Sequence, residues 1–133
     1  MTGLVIITHG ELGRHLLQVA EFIVGPMEGV RAVGVEDPNE GERITRELKH
    51  AVEEVDEGQG VVIFTDMFGG TPNNLSLPLM DGRRVEVVTG VNLPMLIAAA
   101  NARKDHEAHE LARIVCQAGK DSISVAGQLL YEE

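Results

Sequence analysis

Basic residues are scarce in this sequence: eleven Lys and Arg stand against 21 Asp and Glu, for a formal net charge of −10. Such a surface repels a phosphate backbone or an anionic bilayer, which argues against nucleic-acid and membrane-surface partners. Aromatics are scarcer still at 3%, although hydrophobic residues make up 44% of the chain. The core therefore has to be built from Val, Leu, Ile, Ala and Met, the aliphatic interior usual in an α/β domain. The single cysteine, Cys116, cannot form an internal disulfide. It lies among helical apolar residues and reads as a small core residue in a reducing, cytoplasmic setting. Apolar runs stay far short of the about 18 residues that a membrane span needs, and no basic stretch opens the chain, so neither a span nor a signal peptide is expected. Gly-x-Gly-x-x-Gly, Gly-x-x-x-x-Gly-Lys-Ser/Thr and Gly-x-Ser-x-Gly are all missing, which counts against a nucleotide loop and a hydrolase nucleophile elbow.

What is present alternates strand with helix. The 133 residues suit one domain. Leu4-Val5-Ile6-Ile7-Thr8 is a buried-strand run that stops at His9-Gly10. A helix is expected from Glu11 to Val24, with Leu12, Leu16, Ala20 and Ile23 turned inward and Gly25-Pro26 as its stop. Gly29 to Val35 reads as a second strand, and Glu40 to Asp56 as a helix with Ile44, Leu48, Val52 and Val55 on its apolar face. Val61 to Thr65 reads as a third strand, ending at Asp66. Thr71 and Pro72 then suit the cap and first residue of a helix reaching about Leu79. Arg84 to Thr89 gives a fourth strand, Asn92 and Pro94 open a further helix, and His106 to Ala118 forms another, closed by Gly119. Ile123 and Val125 suggest a short last strand before an apolar tail. The pattern predicts a doubly wound α/β fold with a parallel sheet and helices on both faces. In strand order 2-1-3-4, His9 and Asp66 meet at the topological switch point, the edge where such sheets bind ligands.

Three features thus converge on one sheet edge: a histidine, a carboxylate, and the glycine-rich helix start Phe68-Gly69-Gly70-Thr71. A neutral imidazole is a competent nucleophile near pH 7. A carboxylate on one ring nitrogen fixes the tautomer that frees the other. Backbone N–H groups at a glycine-rich helix start suit an anion, so the residues point to a phosphohistidine site with His9 as acceptor. The remaining histidines carry less. His106 and His109 share a helix face without further clustered ligands, so no metal site is expected. His15 and His50 lie in charged helices and read as surface residues.

Thr8-His9-Gly10, the stretch Asp66 to Asn73, and Gly90-Val91-Asn92-Leu93-Pro94-Met95-Leu96 resemble the IIA component of the mannose family of the bacterial phosphoenolpyruvate-dependent sugar phosphotransferase system. The resemblance covers nearly the whole chain, with the motifs in the family's order. It implies a four-stranded sheet in 2-1-3-4 order and a homodimer in which a C-terminal antiparallel strand, here about Ser122 to Ala126, is swapped onto the partner's sheet. It also implies phosphorylation of His9, with Asp66 orienting the ring, and a phosphoryl pocket from Gly10, Phe68, Gly69, Gly70 and Thr71. An HPr-type phosphocarrier would be the donor and a IIB-type protein the acceptor. No metal or organic cofactor is implied, and contact with the membrane would come only through association with a permease. Familiar sugar-transporting members carry tryptophan at the position of Phe68 and serine at that of Thr71. The chain reaches Glu133 without an alanine- and proline-rich linker or a IIB domain, so a free-standing IIA domain over residues 1–133 is expected. A second reading keeps the same site but makes its phosphorylation state a regulatory signal without sugar transport. A third, a phosphoryl donor to a dihydroxyacetone kinase, is disfavoured by Gly69-Gly70-Thr71-Pro72.

Overall fold

The computed structural model describes residues 1–82 and 84–131. Four strands, β1 (Gly3–His9), β2 (Val30–Val35), β3 (Val61–Thr65) and β4 (Val85–Thr89), form one parallel sheet in the order β2-β1-β3-β4. The helices are α1 (Leu12–Val24), α2 (Gly41–Val55), α3 (Thr71–Ser76), α4 (Leu93–Ala102), α5 (Ala108–Asp121) and α6 (Ala126–Tyr131). Short 3-10 turns precede α2 and follow α3. The expected α/β architecture and the expected strand order are both present.

The two central strands are buried along almost their whole length because both faces of the sheet are covered. Alternate residues serve opposite cores. Leu4, Ile6, Val62, Phe64 and Val88 pack against Ala20, Met95, Leu96, Leu111 and Val115 of α1, α4 and α5. Val5, Ile7, Val33, Val35, Ile63 and Val85 pack against Ile44, Leu48, Val52 and Val55 of α2 and against Leu79. Each such fully buried side chain contributes about 1.5–3 kcal/mol relative to exposure. That stabilisation fixes the register of β1 and β3 and therefore where their carboxyl ends fall.

Several local expectations are corrected. Helix α1 turns Gly13, Leu16, Leu17 and Ala20 toward the core, Leu16 and Leu17 only partly buried, while Leu12 and Ile23, expected inside, are exposed. The helix has apolar residues on two faces, and the close approach of Gly13 to β1 decides between them: a Cβ there would stand 2.8 Å from Ile6 Cγ2. Gly119 does not end α5, which continues to Asp121. It is a packing glycine, since a Cβ would meet Met95 Cγ at 2.6 Å. Residues 123–125 form no strand within the chain, and Ala126–Tyr131 is helical. Their apolar side chains, including Ile123, Val125, Leu129 and Leu130, are exposed.

Candidate functional site

Strands β1 and β3 run parallel and adjacent, and each delivers a chemical group to the same edge: His9 closes β1, and Asp66 directly follows β3. His9 Nδ1 lies 2.7 Å from Asp66 Oδ2. The same oxygen accepts the His9 backbone N–H at 3.0 Å, and Oδ1 accepts the Met67 N–H at 3.1 Å. An ionised carboxylate can only accept, so the shared proton sits on Nδ1 and the Nε2 lone pair is left free. The Asp66 side chain is 13% exposed and that of His9 50%. Burial works to raise the Asp66 carboxyl, but the hydrogen bonds from the His9 ring and backbone N–H, with attraction to the ring, outweigh it and hold the group below its ordinary value. Asp66 is thus kept as an anion against the imidazole.

The loop between β3 and α3 runs along the free edge of that ring. A Cβ on Gly70 would stand 2.8 Å from His9 Cε1 and 3.3 Å from Nε2. Only glycine leaves this edge open. Gly69 has φ +85°, a left-handed conformation that a β-carbon resists. Gly70, with an extended backbone, occupies the cap position, so Thr71 is the first helical residue and Pro72 the second, one place earlier than expected. Asn74 Nδ2 donates to the Gly69 carbonyl at 3.3 Å and ties the loop to its helix. Phe68 is 74% exposed.

Gly10 turns the chain out of β1 with φ +56° and donates its N–H to the Val35 carbonyl at 2.8 Å. The turn settles on Gly34 of β2, where a Cβ would stand 2.5 Å from the Gly10 oxygen. The structure therefore brings His9, Asp66 and Gly70 into contact. Gly10, Phe68, Gly69 and Thr71 lie in the two flanking loops, and among the described residues the imidazole hydrogen-bonds only to Asp66.

Two supports of the site carry only a weak signal in the sequence. The buried Thr8 Oγ1 accepts the Gly13 N–H at 2.7 Å and anchors the start of α1 beside His9. Its signal was a hydroxyl residue closing an otherwise aliphatic strand. Gly34 was the other, a lone glycine inside a valine-rich strand, which marks a close backbone approach. Two of the other histidines pair elsewhere: His106 with Glu110, and His109, whose Nδ1 lies 2.9 Å from Glu86 Oε1 on the surface. Among the described residues no group of three His, Cys, Asp or Glu side chains is placed to hold a metal, and no helix is long and apolar enough to cross a membrane.

Residues 3–116 match the family model EIIA-man, described as the PTS system fructose IIA component. The chain belongs to this family. It is 30% identical over 122 residues, 90% of its length, to the mannose-specific EIIAB component of Escherichia coli K12, of which the match covers 38%. The chain thus spans well under half the length of that curated relative. It is 26% identical to the fructose-specific EIIA component of Bacillus subtilis, over 98% of this chain and 90% of the other. The crystal structure of the phosphotransferase system component EIIA from Streptococcus agalactiae superimposes with a TM-score of 0.83 at 25% identity, covering 96% of this chain and 99% of that one. The EIIA-man assignment agrees with the resemblance carried by the His9, Asp66 and Asn92 motifs.

Proposed function

We propose that this EIIA-man chain is a phosphocarrier that accepts a phosphoryl group on His9 Nε2 from a phosphohistidine protein of the HPr type and passes it to a histidine of a IIB-type protein. The observation that carries the reading is the 2.7 Å contact between His9 Nδ1 and Asp66 Oδ2. In the first transfer the Nε2 lone pair forms the new N–P bond while the donor's N–P bond breaks, its electron pair returning to the donor ring. The proton on His9 stays on Nδ1, where Asp66 stabilises the charge that the ring acquires. The second transfer reverses these roles with the acceptor. Transfer runs in line through a loose, metaphosphate-like transition state, so positioning and nearby N–H groups supply most of the catalysis. Gly70 keeps space at the reacting edge, and Gly10, Phe68, Gly69 and Thr71 are assigned to the surrounding pocket.

Residues 1–133 are read as one such domain, working in the cytoplasm and meeting the membrane only through a permease complex. A homodimer completes the picture. Among the described residues β4 pairs with β3 alone, and its outer edge borders a groove of about 640 Å³ lined in part by Val87, Val88 and Cys116. An open strand edge is a template for a strand of another chain, and the exposed Ile123 and Val125 are suited to supply it. The reading is tested by intact-mass measurement after incubation with phosphoenolpyruvate, enzyme I and HPr. One acid-labile phosphoryl group, missing in His9→Ala, supports it; an unmodified protein beside a phosphorylated HPr overturns it.

A further inference from the structure

We infer that Asn73 is a positioning residue for phosphoryl transfer, acting through Thr65; this rests on the phosphocarrier reading. The reacting edge has two halves on different elements. Asp66, directly after β3, holds the His9 ring and its backbone N–H. Gly70, at the start of α3, stands against the free edge of the ring, where a Cβ would lie 2.8 Å from Cε1. Each half is bonded within its own neighbourhood: the Met67 N–H goes to Asp66 Oδ1, and the side-chain and backbone N–H groups of Asn74 go to the Gly69 and Gly70 carbonyls. Among the described residues a single hydrogen bond joins β3 to α3, in which Thr65 Oγ1 donates to Asn73 Oδ1 at 3.5 Å. Thr65 directly precedes Asp66, and Asn73 lies just inside the helix that Gly70 caps. The contact therefore closes the base of the loop that carries both halves.

Stability does not account for this pair. Both side chains are fully buried, the bond between them is long, and Asn73 Nδ2 has no acceptor among the described residues. Turning the amide over would give Nδ2 a partner in Thr65 Oγ1 and leave Oδ1 without one. A buried polar atom left unpaired weakens a fold, whereas apolar side chains of similar shape at both positions cost little or stabilise it. What an apolar pair lacks is direction, since a hydrogen bond constrains the distance and angle between its groups and dispersion contacts do not. The Thr65 carbonyl also takes the Val91 N–H at 3.0 Å, so the end of β3 is held from its other side. That leaves α3 as the member the contact positions, and with it Gly70 against the imidazole. Transfer is sensitive to such placement, because a shift of about 1 Å costs as much as 10²-fold in rate.

The test measures thermal midpoints and single-turnover phosphorylation by phosphorylated HPr in wild type, Thr65→Ser, Thr65→Val, Asn73→Leu and the double variant Thr65→Val with Asn73→Leu. The double variant, apolar at both positions, should melt at or above the wild-type temperature yet transfer at least about tenfold more slowly at saturating donor. Its half-saturating donor concentration should stay within about twofold of wild type, because neither side chain reaches the surface. Thr65→Val and Asn73→Leu should each slow transfer as much as the double variant, since either one removes the same contact. Thr65→Ser keeps the hydroxyl and should transfer at the wild-type rate. A wild-type rate in Thr65→Val or in the double variant overturns the inference, and so does equal slowing in Thr65→Ser, which would assign the effect to packing. A double variant that melts well below wild type or does not fold also overturns it, making the pair a structural one. A raised half-saturating concentration with an unchanged saturated rate overturns it by moving the effect to donor binding. Failure of phosphorylated HPr to modify wild type removes the phosphocarrier reading and this inference with it.

Discussion

His9 Nδ1 and Asp66 Oδ2 stand 2.7 Å apart across the junction of two adjacent parallel strands, and the same carboxylate oxygen also takes the His9 backbone N–H. One side chain therefore sets the ring's tautomer and holds the backbone that carries it. Asp66→Asn removes the charge that holds the proton on Nδ1, and its amide N–H can donate to Nδ1 and leave the proton on Nε2. The rate of phosphoryl transfer should fall roughly 10²–10⁴-fold, as when a histidine loses its orienting carboxylate. Rapid-quench phosphorylation measures this, and an unchanged rate would deny Asp66 its role.

Gly70→Ala should separate function from folding. The backbone of Gly70 is extended at φ −82° and accepts alanine without strain, so the thermal midpoint should stay close to that of wild type. The new Cβ, 2.8 Å from His9 Cε1, has to displace the ring, and phosphorylation should slow at least about tenfold, since misplacement of reacting groups by about 1 Å costs as much as 10²-fold. Calorimetry and phosphorylation kinetics on the same preparation check both halves.

Gly34→Ala should act on the fold as well as the site. Its Cβ would lie 2.5 Å from the Gly10 carbonyl oxygen, and that neighbour is backbone. Overpacking of this kind costs about 1–3 kcal/mol, so the urea midpoint should fall and the turn that presents His9 should shift.

Acid should weaken the fold partly through Asp66. Its folded-state pKa is held below its ordinary value, which is about 3.9 in an unfolded chain. Its ionisation therefore stabilises the protein fully above that pH, and the contribution is lost as the pH falls through the folded-state pKa. The stability difference between wild type and Asp66→Asn, measured by urea unfolding across a pH series, should be constant near neutrality and shrink below about pH 4.

Much of this was legible in the residues themselves. The aliphatic runs of β1 and β3 are unbroken because both faces are buried, and that continuity places His9 and Asp66 at strand ends. The strand order followed from the commonest arrangement of such units, and the cap Asn92, whose Oδ1 accepts the Met95 N–H at 3.1 Å, lies where its side chain suggested. Helix α1 turns Leu16 and Ala20 inward as its spacing suggests but not Leu12 and Ile23, because it has two apolar faces and periodicity alone cannot choose between them. Gly119 reads as a stop because a glycine needed for close packing on Met95 looks the same in sequence as one needed for a cap. The segment 123–125 carries a strand-like pattern but pairs with no strand among the described residues. The contact between Gly70 and the imidazole is a matter of ångströms between loops, which spacing does not encode.

The most direct test is long-range ¹H–¹⁵N correlation spectroscopy of the phosphorylated protein, which identifies the modified ring nitrogen among all five histidines. Asp66 holds the proton on Nδ1, so a single phosphoryl group on Nε2 of His9 is expected, with the other four rings unchanged. A phosphoryl group on His9 Nδ1, or on His15, His50, His106 or His109, would contradict the role assigned to the His9–Asp66 pair.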